Sequence, residues 1–330
     1  GHMITVGIAQ DSKISTVLYH LNGGDYLANP VKSKGIAPIF LPLSDDEIFT
    51  TRMAHNYAEV LNRYKKIFDR RQEEEFGCST PKDGRLCILG GHTNFYHFIT
   101  NSLARLYFFT TDGVVNDCDR FIINEEMPKS YWEYFLFAGV RLDQLVPLSP
   151  KKYYPNIDSY WSSLPHYFEP DKGLCGNMLA FHWLTSMIMN SEIDRQPYRK
   201  VILSRSKGGH RRVINEDELL SLPVMQGFEK LVPEDHEPKE ITEILASTRI
   251  LITPYGAGTT NILFTNENCQ IIELCSESSA RKHNTLALCS LINRNVVRII
   301  GKEVSNEDNW SYRNIWIDPD TFVMALDKYI

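Results

Sequence analysis

The sequence lacks several features that would assign it to a special class of protein. None of its seven cysteines forms a Cys-x-x-Cys pair, so we predict reduced thiols in a cytoplasmic protein, not zinc sites or disulfides. It has no low-complexity tract, and its 43% hydrophobic and 23% charged residues predict a packed core. The net charge of −6 argues against a nucleic-acid-binding protein, because neutralising a phosphate backbone needs a surplus of Lys and Arg.

Long apolar runs are missing as well. The longest, Met178–Met189, contains His182 and is shorter than the roughly 20 residues that cross a bilayer. No signal-peptide pattern follows Gly1-His2-Met3, which resembles the remnant of a cloning site. We therefore expect a soluble cytoplasmic protein, able to associate peripherally with the inner face of the cytoplasmic membrane.

Predicted strands and helices alternate along the 330 residues. The predicted strands are 4–9, 86–89, 120–124, 200–204, 228–232, 249–253, 270–274 and 296–300. The predicted helices are 45–75, 94–110, 130–138, 174–193, 215–222, 239–247 and 319–329. The stretch 149–173 contains four prolines, so no long regular element is predicted there.

This alternation predicts an α/β protein with parallel sheets. The length of 330 residues favours two domains, which we place at 1–170 and 171–318, with a C-terminal helix in 319–330 that could pack across the junction. Two Rossmann-like domains facing each other across a cleft would bind ligands at the carboxyl ends of their strands.

A glycine turn after the predicted strand 249–253 is the most informative segment. Residues 255–261 read Tyr-Gly-Ala-Gly-Thr-Thr-Asn. Gly256 and Gly258 permit close approach to the backbone, and a helix N-terminus favours an anion by about 0.3–1 kcal/mol. The pattern fits a phosphate cradle and also an ordinary strand-to-helix turn, in which Asn261 tethers either the turn or a ligand. Glu273, at the end of the next strand, either binds ribose hydroxyls or is a solvated strand end.

Four cations lie within eight residues after the predicted strand 200–204. They are Arg205, Lys207, Arg211 and Arg212. Arginine suits a diphosphate because its planar guanidinium donates paired hydrogen bonds, so the segment predicts either a diphosphate clamp or a solvated basic loop. Asn215 and Glu216 belong to the same clamp or start the next helix.

The predicted helix 94–110 carries a polar stripe. Asn94, His97 and Asn101 are spaced three and four apart and share one face, which Arg105 continues. Apolar side chains cover most of the remaining circumference, so the helix is predicted to be buried. The stripe is then either an internally satisfied network or the wall of a site.

In this order, the three segments resemble glycosyltransferase family 61 over roughly residues 85–300. The resemblance rests on Asn-x-x-His-x-x-x-acid, on Ser-Arg followed by Arg and Asn-Glu, and on Gly-Ala-Gly-x-x-Asn-x-x-Phe before a strand ending in Glu-Leu. It implies a two-domain, inverting GT-B glycosyltransferase with a UDP-sugar donor, a glycan or glycolipid acceptor, and no bound metal or other cofactor. The implied setting is biosynthesis of bacterial capsule or other surface polysaccharide.

The resemblance also implies roles for individual residues. His97 and position 101 are the implied catalytic residues, and Asn94 and Arg105 lie on the acceptor side. The implied donor-binding residues are Ser204, Arg205, Lys207, Arg211, Arg212, Asn215, Glu216, Tyr255, Gly256, Ala257, Gly258, Asn261 and Glu273.

The chain departs from the family pattern at two positions. Tyr255 stands where the family usually has His, and Asn101 stands where it typically has Asp or Glu. An amide cannot take the proton of the attacking hydroxyl. Three explanations remain open: an engineered replacement of a native acid, a natural enzyme with another base such as His97, and a non-catalytic relative.

The alternative prediction is a nucleotide-binding oxidoreductase or a sugar-nucleotide-binding module without turnover. A dinucleotide enzyme favours Gly-x-Gly-x-x-Gly with an acidic residue about 20 positions further on. Here Asn261 occupies the position of the third glycine, whereas Glu273 lies at a compatible distance.

Overall fold

The structure is a computed structural model that describes most of the chain in separate stretches. The described residues are 3–10, 15–27, 72–73, 76–79, 81–149, 152–162, 165–169, 173–189, 196–282, 284–304, 309 and 312–330. They belong to two compact units, Gly1–Met187 and Ile188–Ile330. Within the described stretches, no helix is both long and apolar enough to cross a membrane.

The first unit is built on a seven-stranded mixed sheet. Its strands are β1 (Met3–Gln10), β2 (Ser15–Leu27), β3 (Gln72–Glu73), β4 (Leu86–Gly90), β5 (Arg120–Asn124), β6 (Leu145–Leu148) and β7 (Lys152–Ser162). Their order is β1-β2-β7-β4-β5-β6, with β3 beside β7. The pairs β7–β4, β4–β5 and β5–β6 are parallel, whereas β2 is antiparallel to both of its neighbours. The strands β8 (His166–Glu169) and β9 (Gly173–Gly176) form a separate antiparallel pair.

The helices of the first unit are short, and the first is irregular. They are α1 (Phe95–His97), its π-helical and 3₁₀ continuations Phe98–Leu103 and Ala104–Phe109, the 3₁₀ turns Lys129–Tyr131 and Leu142–Gln144, α2 (Trp132–Phe137) and α3 (Met178–Met189). The irregularity has a local cause, because the Thr100 hydroxyl donates to the Tyr96 carbonyl (2.7 Å), a bond that bends helices.

An ion pair fixes the start of the two central parallel strands. Arg85 donates through its backbone N–H to Asp119 Oδ1 (2.7 Å), and its Nη2 lies 2.6 Å from Asp119 Oδ2. The strands that follow, β4 and β5, are almost wholly buried and apolar, as expected for parallel strands with both faces covered. Both strands therefore enter the sheet in fixed register and deliver their carboxyl ends to one edge.

The second unit contains a six-stranded sheet. Its strands are β10 (Arg199–Leu203), β11 (Phe228–Leu231), β12 (Thr248–Pro254), β13 (Gln270–Ser276), β14 (Asn295–Glu303) and β15 (Ile315–Trp316). The order is β11-β10-β12-β13-β14-β15, and all neighbours are parallel except β14 and β15. The helices are α4 (Glu216–Leu220), α5 (Pro238–Ala246), α6 (Glu277–Ala280), α7 (Asn284–Leu291) and α8 (Pro319–Leu326), with 3₁₀ turns Pro223–Met225, Pro233–Asp235 and Ala257–Phe264.

The strand order of this sheet defines where a ligand would bind. From β10 the chain moves outward to β11 and then returns to the other side of β10 as β12. Such a reversal opens a crevice at the carboxyl ends of the two central strands, here β10 and β12. The last helix, α8, buries Phe322 and Leu326 in the core beneath this sheet, together with Ile202 and Ile317.

The α/β class with parallel sheets is confirmed, and most predicted strands are observed within a few residues. The prediction that 149–173 holds no long element is wrong, because β7 spans Lys152–Ser162. Pro155 is tolerated there because the ladder to β2 is irregular between Gly24 and Tyr26, the kind of interruption where a strand accepts proline.

Two predicted helices need correction. The one predicted at 174–193 begins at Met178, since Gly173–Gly176 is a strand and Asn177 Oδ1 accepts from the Ala180 N–H (3.1 Å) as an N-cap. Most of the predicted helix 45–75 lies outside the described residues. Its described part, Gln72–Glu73, is a strand, because its backbone pairs with β7.

Candidate functional site

The switch point of the second sheet brings two predicted segments together. The basic loop begins at Ser204, directly after β10, and the glycine turn begins at Tyr255, directly after β12. Because β10 and β12 are paired parallel neighbours, both segments emerge side by side at the same edge.

Gly256 lies against side chains of the basic loop. Its backbone has φ 153° and ψ −168°, a conformation that is essentially restricted to glycine. A β-carbon at this position would collide with Nη1 of Arg205, and it would also lie 3.4 Å from Cζ of Arg211. Glycine is therefore required here so that two guanidinium groups can lie against the backbone.

Arg205 and Arg211 form a pair of like charges in a partly desolvated setting. Burial and the neighbouring Arg211 lower the pKa of Arg205 to about 10, with Glu234 partly offsetting them. Burial also lowers the pKa of Arg211. Both remain protonated at neutral pH, and neither forms an ion pair with an acidic side chain in the part of the chain that the structure describes. A bound anion would relieve the electrostatic repulsion between the two guanidinium groups.

Tyr255 provides one wall of this cationic site. The Arg211 guanidinium lies 5.7 Å from the centre of its ring, within the range of a cation–π contact. Arg211 and Tyr255 also line a small depression of the surface. The remaining lining residues are Leu274, Cys275, Ser276, Ser279, Arg313 and Ile315.

The helical turn after the glycine turn is held by its own polar groups. The Thr259 hydroxyl accepts from the Gly256 N–H (3.0 Å), and Asn261 Nδ2 donates to the Gly258 carbonyl (2.9 Å). Ala257 starts the turn, which is 3₁₀ in type. Asn261 thus tethers the turn, and its buried Oδ1 has no partner within the described residues.

Other predicted donor-binding residues have structural partners. Ser204 Oγ donates to Glu216 Oε1 (2.7 Å), which also lies 2.6 Å from Lys230 Nζ. Lys207 is paired with Asp235.

Arg212 and Asn215 lie further along the same loop. The Arg212 side chain is exposed. Asn215 binds the backbone of Ile317 through both amide atoms, with Nδ2 donating at 2.8 Å and Oδ1 accepting at 3.0 Å. The structure therefore brings Arg205 and Arg211 to Gly256, whereas the described contacts of Asn215 are structural.

Glu273 lies inside the sheet, since β13 continues to Ser276. Its side chain is 0% exposed, so the interpretation as a solvated strand end is wrong. Glu273 Oε2 lies 2.6 Å from Arg298 Nε, and Oε1 accepts from the Thr285 hydroxyl. Burial raises the pKa of Glu273, while Thr285 and Arg298 counteract it. The carboxylate is engaged in an internal ion pair.

The polar stripe of the first unit starts at the carboxyl end of β4. Asn94 is the exposed N-cap of α1, and its Oδ1 accepts from the His97 N–H (3.4 Å). One turn later, Asn101 is 2% exposed, and its Nδ2 lies 3.4 Å from His97 Nδ1. With the Asn101 amide in this orientation, its NH₂ group donates to His97 Nδ1, which corresponds to the tautomer with the proton on Nε2. Burial lowers the pKa of His97.

Arg105 lies on the buried side of the same segment. It is 2% exposed, and its Nη1 donates to the Leu89 carbonyl (3.2 Å). Burial lowers its pKa to about 9, so it stays charged at neutral pH. Its described contact ties the helix to β4.

His92 is a residue of this site that sequence reasoning missed. Its ring centre lies 4.8 Å from that of His97, and its Nδ1 accepts from the Asn94 N–H (2.8 Å). Burial, and secondarily the nearby His97, lowers the pKa of His92 to about 4. The available signal was its position, since it follows Gly90-Gly91 at the carboxyl end of a parallel strand.

The pH dependence of stability tests this description of His92. Because its folded pKa of about 4 lies below the unfolded value of 6.5, the unfolded state binds more protons between these values. Stability is therefore full above about pH 6.5 and decreases as the pH falls towards 4. In His92→Asn, Oδ1 can replace Nδ1 as acceptor. We expect the free energy of unfolding of this variant, measured by denaturant titration, to fall less than that of the wild type over this pH range. Equal slopes for both proteins would contradict the assignment.

Two Asp-x-Asp triplets are present, a pattern of paired carboxylates that could suit a divalent cation. In the first, Asp119 is buried against Arg85 and Asp117 pairs with Arg141. In the second, Asp318 caps α8 by accepting from the Thr321 N–H (2.9 Å). Among the described residues, no cluster of three or more His, Cys, Asp or Glu could hold a metal ion.

Comparison with known proteins adds one family match. No curated protein matches the chain. The family model described as Glycosyltransferase 61 matches residues 95–272, more than half of the 330 residues, and this span includes α1 and the edge at β10 and β12. The chain belongs to glycosyltransferase family 61, a family of transferases that act on sugar donors and acceptors.

Proposed function

We propose that the protein is an inverting glycosyltransferase that moves a sugar from a UDP-sugar to a hydroxyl group of a glycan or glycolipid acceptor. The observation that carries this proposal is the pair Arg205 and Arg211, which lie against Gly256 at the switch point without an acidic partner in the described residues. A nucleoside diphosphate supplies the missing negative charge.

The donor diphosphate is proposed to bind at this edge. Guanidinium groups donate charge-assisted hydrogen bonds to phosphate oxygens, each contributing on the order of 1.5–3 kcal/mol. The turn that starts at Ala257 directs the N-terminal end of its backbone dipoles to the same place. Tyr255, where the family usually has His, orients Arg211 through its ring.

The reaction proposed is a single displacement. The acceptor oxygen bonds to the anomeric carbon of the sugar as the bond from that carbon to the diphosphate oxygen breaks. The acceptor proton passes to a base, and negative charge grows on the departing UDP. Arg205 and Arg211 stabilise that charge, and removal of such a group typically slows a reaction by about 10²–10³-fold.

The base is proposed to act from α1 and its continuation. Asn101 cannot accept a proton, and its contact with Nδ1 leaves the His97 proton on Nε2, where a base would need a lone pair. An Asp at position 101 would accept from Nδ1–H and free Nε2, or would itself take the proton. The three explanations for Asn101 therefore predict different activities, and they are separated by one substitution described in the Discussion.

The GT-B arrangement, with an acceptor domain in 1–170 and a donor domain in 171–318, is part of this proposal. Its support is the family membership together with parallel strands at the centre of the sheet in each unit. Metal-independent chemistry, a cytoplasmic location with peripheral membrane association, and a role in bacterial capsule or surface-polysaccharide synthesis belong to the same proposal.

Calorimetric titration with UDP tests the donor site. We expect Arg205→Ala and Arg211→Ala each to weaken UDP binding at least roughly tenfold, the loss of one charge-assisted hydrogen bond. Arg281→Ala is the matched control, because it removes the same charge from an exposed side chain of the same unit that lies outside the candidate site. Unchanged affinity in both of the first two variants would overturn the assignment.

The same titration separates the alternative functions. A dinucleotide-dependent oxidoreductase would bind NAD in preference to UDP, and we expect the opposite order. A binding module without turnover would bind UDP-sugars yet yield no product even with an acid at position 101.

A further inference from the structure

A distant segment of the chain holds the loop that carries Arg211. The Arg212 N–H donates to Asn314 Oδ1 (2.9 Å), and the Ile315 N–H donates to the Arg212 carbonyl (2.9 Å). The Ile214 N–H donates to the Ile315 carbonyl (2.9 Å), and Val213 and Ile315 form a parallel bridge. These bonds join two stretches that lie about a hundred residues apart in sequence.

This junction between residues 212–215 and 314–317 is anchored in the core of the second unit. Asn215 occupies both backbone groups of Ile317, as a neighbouring strand would. Val213, Ile315 and Ile317 are buried in one cluster with the residues of β10, β12 and β13. The backbone on both sides of Arg212 is therefore fixed to the sheet.

Arg211, immediately before this junction, has a positive φ angle. Its φ is 58°, the left-handed region that a residue with a β-carbon adopts only with backbone strain. The conformation persists only where surrounding contacts enforce it. It directs the guanidinium to Gly256 and the Tyr255 ring, and it leaves Nε buried with no partner among the described residues.

We propose that Asn314 is a positioning residue of the donor site. By accepting from the Arg212 N–H, it fixes the peptide that follows Arg211 and holds Arg211 in the left-handed conformation that presents its guanidinium to the donor diphosphate. This inference rests on the proposed function, in which Arg211 contacts the diphosphate. Asn314 does not itself touch the donor.

A double-mutant cycle with UDP as the ligand tests the inference. We expect Asn314→Ala to weaken UDP binding about five- to tenfold, a change that corresponds to one side-chain hydrogen bond. In the Arg211→Ala background, the same substitution should change the affinity by less than about twofold, because a residue that acts through Arg211 has nothing left to position. The exposed Asn268→Ala, in the same unit, is the control for loss of an amide and should bind like the wild type.

The outcomes are distinct. Equal UDP affinity of the wild type and Asn314→Ala overturns the inference alone, and so do additive effects of Asn314→Ala and Arg211→Ala. A wild type that does not bind UDP overturns the proposed function and the inference with it. If Asn314→Ala does not fold, the cycle is measured with Asn314→Ser, which keeps a shorter hydrogen-bonding group at the surface.

Discussion

Asn101→Asp is expected to raise the rate of sugar transfer by about 10²–10⁴-fold, the usual contribution of a positioned general base. The physical reason lies in the contact between Asn101 and His97, whose nitrogen atoms are 3.4 Å apart. An aspartate accepts a proton directly, or accepts from Nδ1–H of His97 and leaves Nε2 as the base. The measurement is product formation from UDP-sugars with purified protein.

Asn268→Asp is the matched control for this gain. It makes the same amide-to-carboxylate change at an exposed side chain outside the candidate site. It should leave transfer unchanged. Equal activity of the wild type and Asn101→Asp would assign the base to a group other than the side chain at position 101. A binding module would remain inactive in all three forms.

Arg298→Met is expected to lower the free energy of unfolding by about 3–5 kcal/mol, the typical loss when one partner of a buried ion pair is removed. Glu273 is fully buried, so its carboxylate would be left without a compensating charge. Arg298 also donates to the carbonyls of Ala280 (2.8 Å) and Lys282 (3.1 Å), which hold the loop after α6. Denaturant titration measures the loss.

Two further variants make this prediction specific. The double variant Glu273→Leu with Arg298→Met should be much more stable than Arg298→Met alone, because it leaves no unpaired charge. Arg281→Met breaks the exposed pair with Glu277 and should change stability little. A double variant no more stable than the single one would show that lost packing, not the unpaired carboxylate, causes the effect.

The pH dependence gives an independent check. Burial raises the pKa of Glu273, and loss of Arg298 raises it further. A group with a raised folded pKa stabilises the protein at low pH and loses that contribution as the pH rises. The difference in stability between wild type and Arg298→Met should therefore shrink as the pH is lowered.

The parallel strands were predictable because their sequence signal is local. β5 and β12 are apolar, β-branched runs next to polar residues, and that pattern is sufficient for a buried strand. β7 was not predicted, because a strand with an internal proline depends on a bulged partner that lies more than a hundred residues away in sequence.

The candidate site, too, was predictable from the sequence only in part. The pairing of the basic loop with the glycine turn followed from the rule that parallel strands deliver their carboxyl ends to one edge. Which cations lie at Gly256 did not follow, because Lys207 and Arg212 differ from Arg211 only through the partners that folding provides. The burial of Glu273 depended on Arg298, which no spacing rule connects to it.

The π-helical turn Phe98–Leu103 changes how the side chains before and after it are oriented. A π turn takes up one residue more than an α turn. Without the extra residue, His97 and Arg105 would be rotated by about 100° relative to each other, the angle of one residue in an α-helix. The π turn therefore sets the angle between His97 and Arg105, two residues of the polar stripe.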